Sequence, residues 1–217
     1  MSVVLLGVAA ALTPRALRKM PYFRVRQVEL RGVKYRSPEE VIHSLGLRRD
    51  QNLFDDTGPI ERRAAGLAGV VSATVERRLP GTLRVTVVEQ VPVALAPSAS
   101  AMMVLDCDGR PLPYDPAATG VDLPIVERQD SLLTAVLCAV RAADTALFQR
   151  VDGVRRTSTG AVTLEMGAQR VIVRSAPGSE EIRSIGAVQR HLATTGRPYE
   201  ELDARYTGWV VVRRART

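Results

Sequence analysis

Two hydrophobic periods alternate along the first ninety residues. Residues 23–30 (Phe-Arg-Val-Arg-Gln-Val-Glu-Leu) alternate apolar and polar side chains, which predicts a strand with one buried face, closed by Gly32. Ser37-Pro38-Glu39-Glu40 then supplies an N-cap, a proline at the first helical position and acids in the first turn. Val41, Ile42 and Leu45 give that helix its apolar face, and Gly46 ends it. A second helix is expected from about Asp56-Thr57-Gly58-Pro59, carrying Ile60, Ala64 and Leu67. After Gly69 come a strand over 70–79, a turn at Pro80-Gly81 and a strand over 82–90. In that last strand Leu83, Val85 and Val87 point inward while Thr82, Arg84 and Thr86 point outward. The predicted order is β-α-α-β-β.

Past a small-residue joint at 97–101 the pattern changes. Residues 102–106 and 111–114 form a hairpin about Asp108-Gly109, and a short strand over 123–126 follows a loop around Pro116 and Gly120. Leu132, Leu133, Val136, Leu137, Val140, Ala143 and Leu147 recur at spacings of three and four, predicting one amphipathic helix over 131–148. Strands are expected over 151–157, 161–166 and 169–174, with turns at Gly160 and Gly167. A helix over 179–195 carries Ile182, Ile185, Val188 and Leu192. The chain closes with strands over 202–206 and 209–213 about Thr207-Gly208. The fold class is therefore α+β: a β-α-α-β-β unit, then a mixed-sheet unit with two amphipathic helices.

Residues 1–13 carry no charge and would make a helix of about 20 Å, short of the roughly 30 Å hydrocarbon core. Extending the run through Leu17, with Arg15 snorkelling, narrows the gap. A signal peptide would need a basic segment ahead of the apolar run, and a buried core helix would show a polar face. The favoured expectation is a membrane anchor over 1–19, embedded in the inner membrane through residues 1–17, with part of the span upstream of Met1. Arg15, Arg18 and Lys19 follow the run and by themselves would draw that side toward the cytoplasm; a basic tail upstream would reverse the bias.

The 217 residues, 46% hydrophobic and 24% charged, exclude a disordered, collagenous or multi-span membrane protein. The net charge of +7 is not concentrated: residues 24–96 hold twelve basic and nine acidic groups, and residues 97–217 hold fifteen and fourteen. Interspersed signs favour a solvated surface over a phosphate-binding face, so Arg48-Arg49, Arg62-Arg63, Arg77-Arg78 and Arg155-Arg156 are expected on solvated faces. No phosphate-binding glycine loop, Gly-x-Ser-x-Gly elbow or His-Glu-x-x-His occurs. Asp55-Asp56 and Glu180-Glu181 stand at helix starts, where the helix dipole favours acids. Asp106 and Asp108 fit hairpin chemistry, and His43 and His191 fit helix surfaces. No catalytic residue, cofactor or metal site is expected. Cys107 and Cys138 are expected as strand and helix packing residues, with a disulfide between them as the alternative in an oxidising compartment.

Phe23-x-Val25-x-x-Val28-x-Leu30-x-Gly32, followed by Ala73-x-Val75-x-Arg77-x-Leu79-Pro80-x-Thr82-Leu83-x-Val85-x-Val87-x-Glu89-x-x-Pro92-Val93-Ala94, resembles a POTRA domain of the kind found in the FtsQ/DivIB family. Gln90 stands where that family usually has arginine. Each position also has a local reading: Gly32 ends a strand, Pro80 makes a turn, Glu89 is a solvated strand residue. Val104-Leu105-Asp106-x-Asp108-Gly109 and Leu202-Asp203-Ala204-Arg205-Tyr206 resemble the first hairpin and the closing strand pair of the family's β domain, with Ala204 in place of the usual leucine.

The resemblance implies an anchor (1–19), a POTRA domain (23–96) and a β domain (100–214). It implies a non-enzymatic, single-pass inner-membrane scaffold of the divisome, with its bulk periplasmic at the septum, binding the FtsB–FtsL pair. An incoming strand would add to the last strand, with Arg205, Tyr206, Trp209, Val210, Val211 and Val212 as the contact residues. Two other readings are a POTRA-bearing module of outer-membrane protein export and a basic nucleic-acid-binding protein. A long β-barrel should follow the POTRA in the first, and salt-sensitive retention on DNA should mark the second.

Overall fold

The computed structural model describes residues 20–99, 101–117 and 122–214. The expected anchor over 1–19 and the loop position Gly120 lie outside these residues. No described helix is long and apolar enough to cross a membrane. The chain divides into two compact units between Gln90 and Val91.

The first unit holds β1 (Gln27–Arg31), α1 (Pro38–Ser44), α2 (Gly58–Ala65), β2 (Val70–Arg78) and β3 (Thr82–Glu89). Its sheet runs β1-β3-β2, with β1 parallel and β2 antiparallel to β3. The strict alternation of β3 buries Leu83, Val85 and Val87 against Val41, Leu45, Leu53, Ile60 and Ala64. At about 25 cal/mol per Å² of apolar surface removed from water, this one cluster is the main favourable contribution to the unit. Ile42 is 41% exposed, because a helix of seven residues can aim only the Val41–Leu45 stripe, four residues apart, at the sheet.

The strand expected over 23–30 is shorter. Residues Pro21–Phe23 form a 3₁₀ turn, and β1 starts at Gln27. Between them Val25 donates its N–H to the carbonyl of Gln51, Leu53 donates to that of Phe23, and the Phe23 and Phe54 rings meet edge to face at 5.1 Å. The apolar alternation there serves packing on the 51–54 loop, not a sheet. Glu89 is not a solvated strand residue either. It is buried, and its carboxylate accepts the backbone N–H groups of Lys34 (2.7 Å), Tyr35 (2.8 Å) and Arg36 (3.3 Å), pinning the loop after β1 to the end of β3. Gly32 lets that loop pass: its φ is +79°, and a Cβ there would lie 2.0 Å from the Val87 carbonyl oxygen. The paired arginines are only partly solvated faces. Arg77 donates to the carbonyls of Leu53 (2.6 Å) and Asp55 (3.0 Å), and Arg63 donates to that of Leu45 (2.8 Å).

The second unit is a nine-stranded mixed sheet in the order β12-β11-β10-β9-β8-β7-β4-β5-β6. Its elements are β4 (Ala94–Pro97), β5 (Met102–Leu105), β6 (Pro111–Leu112), β7 (Ile125–Val126), α3 (Ser131–Ala143), α4 (Thr145–Phe148), β8 (Gly153–Arg156), β9 (Val162–Met166), β10 (Gln169–Val173), α5 (Ser179–Thr194), β11 (Glu201–Tyr206) and β12 (Trp209–Arg213). The first strand, β4, falls just ahead of the small-residue joint at 97–101. A four-residue strand ending in proline leaves little pattern to read, since proline is tolerated only at a strand's margin. The division of the chain accordingly comes a few residues before that joint.

The single helix expected over 131–148 is two helices. Asp144 leaves helical geometry (φ −152°, ψ 94°), and its side chain accepts the N–H of Leu147 at 2.9 Å, as an N-cap does. Asp130 caps α3 by accepting from Leu132 and also receives a bidentate pair from Arg156 at 2.8 and 2.9 Å. α3 packs on α5 and β8, and α5 packs on β11 and β12. Leu133, Val136, Leu137, Val140, Ile182 and Ile185 are buried, and so are Val154, Leu164, Val171 and Leu202 of the sheet.

The cysteines are corrected too. Cys107 lies in the β5–β6 turn, not in a strand, and forms a disulfide with Cys138 of α3, with a Cα–Cα distance of 5.7 Å. Turn and helix meet because Thr134 of α3 donates its hydroxyl to the Cys107 carbonyl at 3.1 Å, one helical turn before Cys138. Sequence spacing alone cannot reveal that approach.

Two outcomes follow from these contacts. Glu89→Ala should destabilise the first unit by about 2–4 kcal/mol in denaturant titration, since it orphans part-buried backbone donors. Replacing Cys107 and Cys138 with serine should cost the second unit about 3–4 kcal/mol, given a sequence separation of 31 residues. That loss should be read as a lower melting temperature against the oxidised protein.

Candidate functional site

Helix α5 carries the chain from β10 to β11, as a parallel pair requires. β11 then turns through Thr207-Gly208 into β12. Gly208, at φ +78°, takes the left-handed position of that turn, where a side chain would be strained. Among the described residues β12 pairs only with β11, so it is one edge of the nine-stranded sheet. An edge strand presents backbone N–H and C=O groups along its outer side.

The residues expected to form the contact are brought together here, but they do different things. Tyr206 (54% exposed) stands opposite Trp209 (76% exposed) at the turn, and Val211 is 53% exposed. Val212 is in register with Leu202 and so lies on the helix-covered face, which half-buried Val210 shares by alternation. Val211 is in register with Asp203 and lies on the opposite face. Arg205 is engaged within its own strand: its Nε and Nη2 donate to the Asp203 carboxylate at 2.8 and 2.6 Å. The guanidinium holds the Asp203 carboxyl below the usual carboxylate range, outweighing the opposing effect of burial, and the same pair raises Arg205. A register shift between Asp203 and Tyr206 separates this ion pair from the aromatic pair.

Tyr206 and Trp209 also line a cleft of about 550 Å³, whose other wall is Arg174 with Gly178, Glu180, Glu181 and Ser184 at the start of α5. Arg174 donates to Oε2 of Glu181 at 2.6 Å, while Oε1 of Glu181 is buried with no hydrogen-bond partner among the described residues. Arg174 and Glu181 were not expected at the site. Their sequence signal is only an arginine closing one strand and an acid opening the next helix. A second feature missed by the sequence reading runs across the sheet. Arg170 is in register with Glu165 on one side and Glu201 on the other, and Glu201 is in register with Arg213. Arg170 Nε lies 2.6 Å from Glu201, and Arg213 Nη1 lies 3.4 Å from it. The strand period of two in Glu201-x-Asp203-x-Arg205 hints at such a charged face, but not at its cross-strand partners.

Other candidate groups are accounted for locally. His43 and His191 are exposed. Oδ1 of Asp106 accepts from the N–H groups of Asp108 and Arg110 in the hairpin turn, and Asp56 accepts from Gly58 at the start of α2. No group of three His, Cys, Asp or Glu placed to hold a metal occurs among the described residues.

Residues 23–90 match the family model described as POTRA domain, FtsQ-type. The chain is 30% identical over 204 residues to the cell division protein FtsQ of Mycobacteroides abscessus, covering 91% of this chain and 65% of that protein. Over most of its length it is similar to FtsQ proteins. FtsQ of Mycobacterium leprae is 26% identical over 191 residues, covering 85% of this chain and 55% of that protein. The chain thus spans between about half and two thirds of the length of these FtsQ relatives. Among solved structures, the major extracytoplasmic domain of the cell division protein DivIB from Geobacillus stearothermophilus is 17% identical. It covers 49% of this chain and 96% of that one at a TM-score of 0.34.

A carboxyl group held below its ordinary range contributes stability that is complete above that range and lost as the pH falls through the lowered value. Asp203→Asn should therefore destabilise the second unit at pH 7, and should flatten the loss of stability that the parent shows as the pH falls below about 4. Denaturant titration across that window reads both effects.

Proposed function

We propose that this chain is an FtsQ-family protein and a non-enzymatic, single-pass scaffold of the divisome, with both units extracytoplasmic at the septum and the FtsB–FtsL pair seated on β12. One observation carries the reading: β12 is an edge of the sheet with Trp209 and Val211 exposed on it, and Tyr206 is exposed beside them at the end of β11. A partner strand would gain backbone hydrogen bonds from the edge, and the cleft beside Trp209 would take one of its side chains. The Cys107–Cys138 disulfide supports an extracytoplasmic placement, since such bonds persist in oxidising compartments. Charges of alternating sign across the sheet suit a protein strand better than a polyanion.

Replacing Trp209 or Tyr206 with alanine should weaken binding of the FtsB–FtsL pair by more than about 1 kcal/mol, as expected for an aromatic anchor. The melting temperature should hold, because both side chains are mostly exposed. Binding measured by titration calorimetry decides the matter. Equal losses of binding and of stability would make these aromatics packing residues, and unchanged binding with both replaced would move the contact off β12.

A further inference from the structure

The charged row described above ends at the sheet edge, and it ends on a cation. Reading outward in register from β9 to β12, the residues are Glu165, Arg170, Glu201 and Arg213, so the sign alternates at each strand. Glu165 is further paired with Arg155 of β8 at 2.9 Å. Glu201 is buried and shared: Oε2 faces Arg170 and Oε1 faces Arg213. One carboxylate therefore serves two guanidinium groups. Arg213, whose side chain is 67% exposed, keeps most of its donors for a group on its outer side.

We propose that Arg213 selects the docking strand, by pairing with an aspartate or glutamate that stands in register with it when the strand adds to β12. This rests on the reading of β12 as the docking edge. The carboxylate extends the alternating row by one strand, as opposite charges directly across a strand pair attract and like charges repel. Val211 lies two residues away on the same face, and Val212 lies on the other. The segment therefore carries its acid, then an apolar side chain on the Val212 face, then another beside Val211. A second copy of this chain presents no such segment in β12 itself, which runs Trp-Val-Val-Val-Arg.

The test titrates the full chain with the extracytoplasmic parts of the FtsB–FtsL pair, at about 50 mM and about 500 mM NaCl, a contrast in screening length. Arg213→Gln should weaken binding about threefold and Arg213→Glu about tenfold at low salt. Both losses should shrink at high salt. Changing one acid of the partner's strand to lysine should restore binding to Arg213→Glu and to no other variant. Arg213→Glu places a second acid beside Glu201, so melting is recorded alongside, and the neutral Arg213→Gln carries the result should the charge reversal unfold the edge. If Trp209→Ala weakens binding while both Arg213 variants bind as the parent does at low salt, docking stands and selection by Arg213 is overturned. If neither Trp209 nor Arg213 matters, the docking reading itself has failed. A concentration-dependent dimer that the FtsB–FtsL pair does not compete away would overturn the proposal in favour of a second copy.

Discussion

The terminal hairpin joins the sheet of the second unit through one parallel pairing, β10 with β11, at Arg170↔Glu201, Val171↔Leu202 and Ile172↔Asp203. Everything at the candidate site hangs from it. A parallel pair cannot be closed by a tight turn, so the chain must cross over the sheet, and α5 is that crossover. The helix then covers the face that Val171 and Leu202 share, with Ile182 and Ile185 buried. Only after this does β12 return antiparallel and come to rest with one side unpaired.

The two faces of β10–β12 divide the work. One face is apolar and covered, and it supplies the stabilisation that keeps the hairpin in place. The other carries Arg170, Glu201, Asp203 and Arg205, and it needs ion pairs because Glu201 is buried. Removing one partner from such a group costs more than the pair contributes net. Edge strands with long apolar stretches invite indiscriminate pairing. Arginine at the end of three valines restrains that tendency.

Carboxylates do comparable structural work elsewhere in the molecule. Glu89 gathers three backbone N–H groups of the loop after β1, and Asp130 combines an N-cap with a bidentate arginine, which holds its carboxyl below the usual range. In each case a charged side chain satisfies backbone donors that a loop or helix start would otherwise leave unpaired. The Cys107–Cys138 bond ties the β5–β6 turn to α3 beside the other edge of the sheet. The outer strand at that edge, β6, is only two residues long and offers little for another chain to pair with.

Hydrophobic periodicity, with its turn residues, determined the β-α-α-β-β order of the first unit, the two long helices of the second and the closing hairpin. Each of these is written in spacings of two, three or four residues that local backbone geometry enforces. Tertiary structure decided what depends on partners distant in sequence. The break at Asp144 and the strand at Ala94–Pro97 were lost in patterns too short to read. The burial of Glu89 needed the approach of a loop more than fifty residues away, and the Cys107–Cys138 bond needed a turn to meet a helix. The alternating row from Glu165 to Arg213 needed the strand order. A strand's own sequence states which residues share a face, whereas its neighbours, and so the charges set beside it, are chosen only when the sheet assembles.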